Sequence, residues 1–468
     1  MLLGLALAFT VLRPPPTPGP YERDFEAYYA AGVTVNMDRD PYSRAIWEAE
    51  KVIPGVDAAR DELLPFVGPA ASLPLWSMLA RAPYPVALRI WGGLLGVAFL
   101  GLLASALRLA KAPRDPLLLL TAIVFAFVSA PMISAIALGQ VALASAAALG
   151  LALLCYPARN TLGAGIATLL AALQPNLALV LVARIRSRWD FGVAAAAAGV
   201  FVLFTVAAGH GVAGIVAYVH RLSAHAGAER FITIQHTPTA IAYAFGADRS
   251  AAIAIGAIIA IAAILVTAAV ILAGRLDAAT AGLFAFAMLP LAIPFFHEHD
   301  FVVELVPAIV LAIRARGKTR ALAAVATILI LVDWFGLAQR ADADGQILSL
   351  GFAVAFGFIA LGPKLRTDQY YGAAGLISFV LLSLFALPLA QHHPAPTWPD
   401  TLPTTFHAPR AADASGVWGD EERSAGLDAR DPVWSVLRMF PLAGCLLLAA
   451  GIVADGRRRQ REGRLVPV

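Results

Sequence analysis

Residues 250–273 read SAAIAIGAIIAIAAILVTAAVILA, without one charged side chain. A helix crossing a hydrocarbon core of roughly 30 Å needs about 20 such residues, so the stretch reads as a membrane span. Comparable runs recur at 86–107, 116–138, 141–157, 190–208, 278–296, 301–313, 320–337, 346–361, 371–390 and 434–454. Composition agrees: 59% of the 468 residues are hydrophobic, 14% are charged and the mean hydropathy is +0.74. A soluble chain is about one quarter charged, and a transmembrane barrel would show short alternating strands instead. The expected fold is therefore an all-α polytopic integral membrane protein with about 11–13 transmembrane helices. It forms a single polytopic domain over 1–468. Met1–Leu12 is apolar but short, and is expected to be a first span that is clipped at its start or thin and tilted.

The net charge of +4 and pI of 9.2 suggest nucleic acid at first sight. The basic residues, however, cluster between apolar runs, which reads as topology through the positive-inside rule. These clusters are Arg108/Lys111/Arg114, Arg184/Arg186/Arg188, Arg314/Arg316/Lys318/Arg320, Lys364/Arg366 and the tail 455–468. Placing them on the cytoplasmic side of the cytoplasmic (inner) membrane puts the C-terminus inside and 13–85, 209–249, 295–300, 338–345 and 391–433 outside. Segment 160–183 then has to begin and end inside. Gln174-Pro175-Asn176 interrupts it, and proline breaks a helix, so the segment reads as a re-entrant hairpin. The alternative is a kinked span, with the rule failing elsewhere. Cys155 and Cys445 lie in apolar segments and offer neither a disulfide framework nor metal-ligand spacing.

Four polar groups converge on the outer face in this topology. In the first outer loop, 13–85, expected to form interfacial helices, lie Asp24, Glu26, Tyr28 and Tyr29, followed by Asp40 and Tyr42. Positions 24 and 28 share a helix face, although Asp24 equally suits the N-cap of a helix over 25–35. His297, Glu298, His299 and Asp300 sit at a junction between spans, where ionisable groups are costly and functional by default. Phosphate is the expected ligand there rather than metal, because a spacing of two turns the histidines apart on one helix. Gln140 opens a span at the outer boundary. His236 lies in a loop with His210, His220, Arg221, His225 and Arg230, most of which are expected to coat a surface helix. Trp398, Trp418 and Trp434 are expected at headgroup level. The spans themselves are nearly free of ionisable groups, Glu304 and Asp333 excepted.

The order of these motifs resembles glycosyltransferase family 87, bacterial polyprenol-phosphate-mannose-dependent mannosyltransferases and their relatives with the C-type membrane fold. The motifs are Asp24-x-x-x-Tyr28-Tyr29-x-x-Gly32, Asp40-Pro41-Tyr42, Phe66–Pro69 with Leu73–Trp76, Gly139-Gln140-Val141, Gln174-Pro175 and His297–Asp300. The likeness runs from about residue 20 to about residue 320, and its specificity lies in the order of short motifs. It implies a polyprenyl-phosphate sugar as donor, a lipid or glycan acceptor outside the membrane and no cofactor. It carries the general base onto Asp24 and a histidine role onto His297, with His299 competing. Donor or acceptor binding falls to Tyr28, Tyr29, Asp40, Tyr42, Gln140, Gln174, His236, His297, His299 and Asp300. Many relatives carry Lys-Pro where this chain has Gln174-Pro175, so an ion pair to phosphate is lost at that turn.

The chemistry suits those residues. An attacking hydroxyl needs a base, while a lipid phosphate leaves already charged and needs only cationic or N–H receivers. Two other readings stay open: a transporter or flippase of lipid-linked substrates, and a non-catalytic partner in envelope assembly. A transporter would show internal repeats and ionisable groups within its spans.

Overall fold

The computed structural model describes residues 23–53, 64–209, 211–274, 276–340, 343–364, 366–394 and 414–463. Every regular element among them is helical. The expected first span, Trp398 and His210 fall outside the described residues.

Five helices are long and apolar enough to cross a membrane: Tyr84–Ala110, Arg188–Ala208, Arg249–Leu272, Gln369–Gln391 and Pro432–Arg461. Pro116–Phe127 and Ala130–Leu138 form a sixth crossing if taken together, bent by 61°. The bend follows from Pro131, which has no N–H to give the preceding turn and sits instead near the start of a new helix. Other apolar segments make shorter helices, among them Ala142–Cys155, Ala278–Ala292 and Leu305–Arg314. Fifteen residues reach only about 22 Å. Hydropathy reads these as spans too, because it registers the absence of water whether lipid or protein replaces it. Nearly every side chain of Ala278–Ala292 is buried in protein, whereas the most apolar window of Arg249–Leu272 is only 11% buried.

Caps at the polar boundaries start many of these helices. Asp115, Asn160, Asp248, Asp277 and Asp431 each accept a backbone N–H from the first turn, and Ser187 with Asp190 forms a capping box. Each such cap is worth about 1 kcal/mol. Segment 160–183 resolves into Thr161–Ala171, a break at Gln174, and Pro175–Ala178 continuing as a 3-10 turn to Arg184.

The bundle has two polar ends. Arg459 lies 3.9 Å from Asp277, and Arg458 donates to the Arg314 carbonyl. Helix Ala278–Ala292 begins beside that basic end and finishes just before His297. Pro432–Arg461 runs between the same two ends, with Arg438 near one and Arg458 near the other. The core between them closes tightly on small residues: a Cβ on Gly150 would overlap Ser105, and one on Gly444 would overlap Ile330 and the Ala326 carbonyl. Close backbone approach of this kind is how helices associate where lipid removes the hydrophobic drive.

Candidate active site

Asp24 lies in the first turn of helix Arg23–Asn36, half-buried, with Phe25 to Gly32 packed around it. Gly32 permits this seating, since a Cβ there would come within 2.2 Å of the Trp76 carbonyl. The Asp24 carboxylate does not serve as a simple cap. Its Oδ2 accepts a 2.5 Å hydrogen bond from Gln140 Nε2, and Tyr28 Oη donates to Gln140 Oε1 at 3.0 Å. The i, i+4 pair and Gln140 thus form one chain. Gly139 delivers the glutamine: its φ of +72° ends helix Ala130–Leu138, and a Cβ would strike Phe25. The Gly139 carbonyl also accepts from Trp91 Nε1 at 2.8 Å, which fixes the turn.

The His297 turn stands beside this chain. Burial first, then the Asp24 and Asp300 carboxylates, push the Tyr28 phenol well above 10.0, so both acids act on one hydroxyl. Asp300, fully buried, accepts from the His297 N–H at 2.9 Å through Oδ2 and from Gln174 Nε2 at 2.9 Å through Oδ1. The broken helix at Gln174-Pro175 therefore brings its amide to the same place. The spacing argument that turned His297 and His299 apart does not hold. His297 is extended (φ −101°, ψ 173°) rather than helical, and the two rings lie 5.2 Å apart.

Donor atoms of His297, His299 and Asp300 all lie within 4.8 Å of one another. Both Asp300 oxygens already accept N–H groups, and His297 Nε2 faces the Glu229 carboxylate at 3.0 Å. Two of the four Asp300 acceptor sites and His297 Nε2 are thereby engaged, while His297 Nδ1 and the other Asp300 lone pairs stay open among the described residues.

Glu229 is the residue that sequence reasoning missed. It is 4% exposed and takes two contacts on each oxygen: His225 Nε2 at 3.1 Å and Trp418 Nε1 at 2.7 Å on Oε1, His297 Nε2 and Gln235 Nε2 at 3.0 Å on Oε2. The Phe296 N–H binds Gln235 Oε1 at 2.9 Å, which fixes the orientation of that amide. Arg438, buried inside the last long helix, donates to the Gln235 carbonyl at 3.1 Å. It is an ionisable group within a span that the sequence inventory overlooked. Burial alone would raise the Glu229 carboxyl, but His225 and His297 outweigh it and hold the group well below 4.5. At His297 burial opposes the charge, and Glu229 with Asp300 and Asp24 more than offsets it, lifting the imidazole above 6.5. At His299 burial, together with His297, outweighs Asp300 and leaves the ring below that value.

The remaining expected residues have other partners. Tyr29 Oη donates to the Ala82 carbonyl at 2.7 Å, and Tyr42 Oη to the Gly68 carbonyl at 2.8 Å. Asp40 pairs with Arg221 at 3.0 Å, and that guanidinium lies over the Tyr42 ring. His236 is packed between Phe301 and Phe335, where burial, then Arg438, lowers it to about 3. His225 does not coat a surface, because Glu229 draws it inside. Trp418 and Trp434 are buried in protein: the first donates to Glu229 and the second stacks on Phe335.

The chain is thus a helical protein with several helices able to cross a membrane and a carboxylate–histidine cluster beside Asp24. The model of glycosyltransferase family 87 matches residues 66–295, 230 of the 468 residues, and supports a membrane glycosyltransferase of that family. The match takes in Gln140, Gln174, Glu229 and Gln235, beginning after Asp24 and ending before His297. No curated protein and no solved structure matches the chain.

Proposed function

We propose that the protein transfers a hexose, mannose in the first place, or a pentose from a polyprenyl-phosphate sugar to a lipid or glycan acceptor on the outer face of the cytoplasmic membrane. The reading is carried by the half-buried Asp24, steered by Gln140 and set beside a histidine held above its ordinary value. Asp24 takes the proton of the acceptor hydroxyl as that oxygen attacks the anomeric carbon. The bond from that carbon to the phosphate oxygen breaks, and the developing positive character at the sugar favours a nearby carboxylate. The phosphate leaves toward His297, with the Gln174 turn, taken as the tip of a re-entrant hairpin, lining its path. The basic end, Arg314 and Arg458 included, then faces the cytoplasm.

Envelope lipids and glycans of a deletion strain, complemented with wild type or with Asp24→Asn at matched membrane abundance, test this by mass spectrometry. The expected result is a species one sugar lighter, restored by wild type alone. Equal rescue by both proteins would replace the transferase with a carrier or assembly role.

A further inference from the structure

We infer that Glu229 is a positioning residue for this reaction: through His297 Nε2 it sets the ring and its protons so that Nδ1–H meets the lipid phosphate. The inference rests on the function proposed above. Its basis is geometric. Glu229 is buried at the meeting point of three chain segments, bonded by His225 and Gln235 from one, His297 from another and Trp418 from a third. All four acceptor sites of a carboxylate are thereby used, so it has no lone pair left to act as a base. His297 Nε2 lies 3.0 Å from both Glu229 Oε2 and Gln235 Nε2, so Nδ1, on the other side of the ring, is the nitrogen left to meet a phosphate. A neutral ring that gives its Nε2 proton to Glu229 has a bare Nδ1, which repels phosphate. The neutral Nδ1–H tautomer would set a bare Nε2 against the Glu229 carboxylate, so only the imidazolium presents Nδ1–H while keeping that bond, and the carboxylate favours it.

Other charges face the pair. His225 and Glu422 act on Glu229, while Asp24, Asp300, His299 and His236 act around His297. The acids favour the imidazolium and the histidines oppose it, so removing Glu229 leaves burial dominant.

The test uses the full chain in lipid nanodiscs, with labelled histidines titrated by NMR from about pH 5 to 8.5. His297 is assigned by the signal that His297→Gln removes. The wild-type ring is expected to titrate above 6.5, Glu229→Gln below it, and Glu229→Asp, which keeps the charge, between the two. Binding of undecaprenyl monophosphate at neutral pH falls roughly tenfold in Glu229→Gln, the scale of a lost charge-assisted hydrogen bond, and recovers on acidification. A wild-type His297 titrating at or below 6.5 overturns the inference, even if Glu229→Gln fails to fold. So does a binding loss in Glu229→Gln that is the same at every pH. If the titrations behave as expected but wild type binds no polyprenyl phosphate, the pairing stands and the proposed function fails.

Discussion

Asp24 and Glu229 are both carboxylates beside His297, yet their surroundings suit them to different work. Asp24 is half-buried, and the hydrogen bond it accepts from a side chain falls on Oδ2. Glu229 is buried, with two donors on each oxygen. A base must keep a lone pair for the incoming proton, whereas a positioning group is most effective when saturated. The difference teaches that carboxylate roles follow from unused acceptor capacity as much as from nearness to the reacting atoms.

Removing the open carboxylate breaks the comparison hardest. Asp24→Asn is expected to lower turnover by about 10²–10⁴-fold, the usual contribution of a general base, with membrane insertion unchanged. Turnover measured on purified protein near the wild-type value would remove Asp24 as base.

The saturated carboxylate is expected to show itself in stability against pH. Glu229, held below 4.5, contributes stability that is complete above that value and lost as pH falls through its folded value. His297, held above 6.5, contributes below 6.5 and loses it as pH climbs through its folded value. Thermal unfolding should therefore peak between 4.5 and 6.5 in wild type and flatten in Glu229→Gln. An identical profile in the two proteins would show that the pair is not coupled.

Smaller effects sharpen the contrast. Gln140→Leu strips the steering bond from Asp24 and leaves Tyr28 Oη without its acceptor, at about 1–3 kcal/mol, read as a fall in kcat of roughly tenfold or more. Trp418→Phe removes one of four donors from the ionised Glu229 and should cost about 1.5–3 kcal/mol in unfolding, with turnover nearly kept. If the tryptophan change lowered turnover more than the glutamine change, the assignment of roles would be reversed.

Much of the Asp24 half was legible in the sequence. A helical spacing of four placed Tyr28 over Asp24, and Gly139-Gln140 at a boundary marked the third member. The Glu229 half was less legible: His225 four residues before it is a local signal that was passed over, while His297 and Trp418 lie far along the chain, Trp418 189 residues away. Histidines and tryptophans in polar loops read as surface coating, since hydropathy cannot show that two loops fold over one carboxylate. The His297/His299 spacing misled for a narrower reason: it was read on a helix, and one extended residue reversed the geometry. Apolar runs such as 278–296 gave no hint that protein would enclose them, because a helix enclosed by protein and a helix enclosed by lipid have the same composition.

The bond from Trp418 to Glu229 also sets an order in time. A ribosome delivers Glu229 long before Trp418, and the early carboxylate must wait through most of the later helices for its last donor. The cluster is thus completed only once helix Ala414–Ser424 is made, so a nascent chain halted before residue 418 would hold Asp24 and Gln140 in place beside a Glu229 still short of one donor.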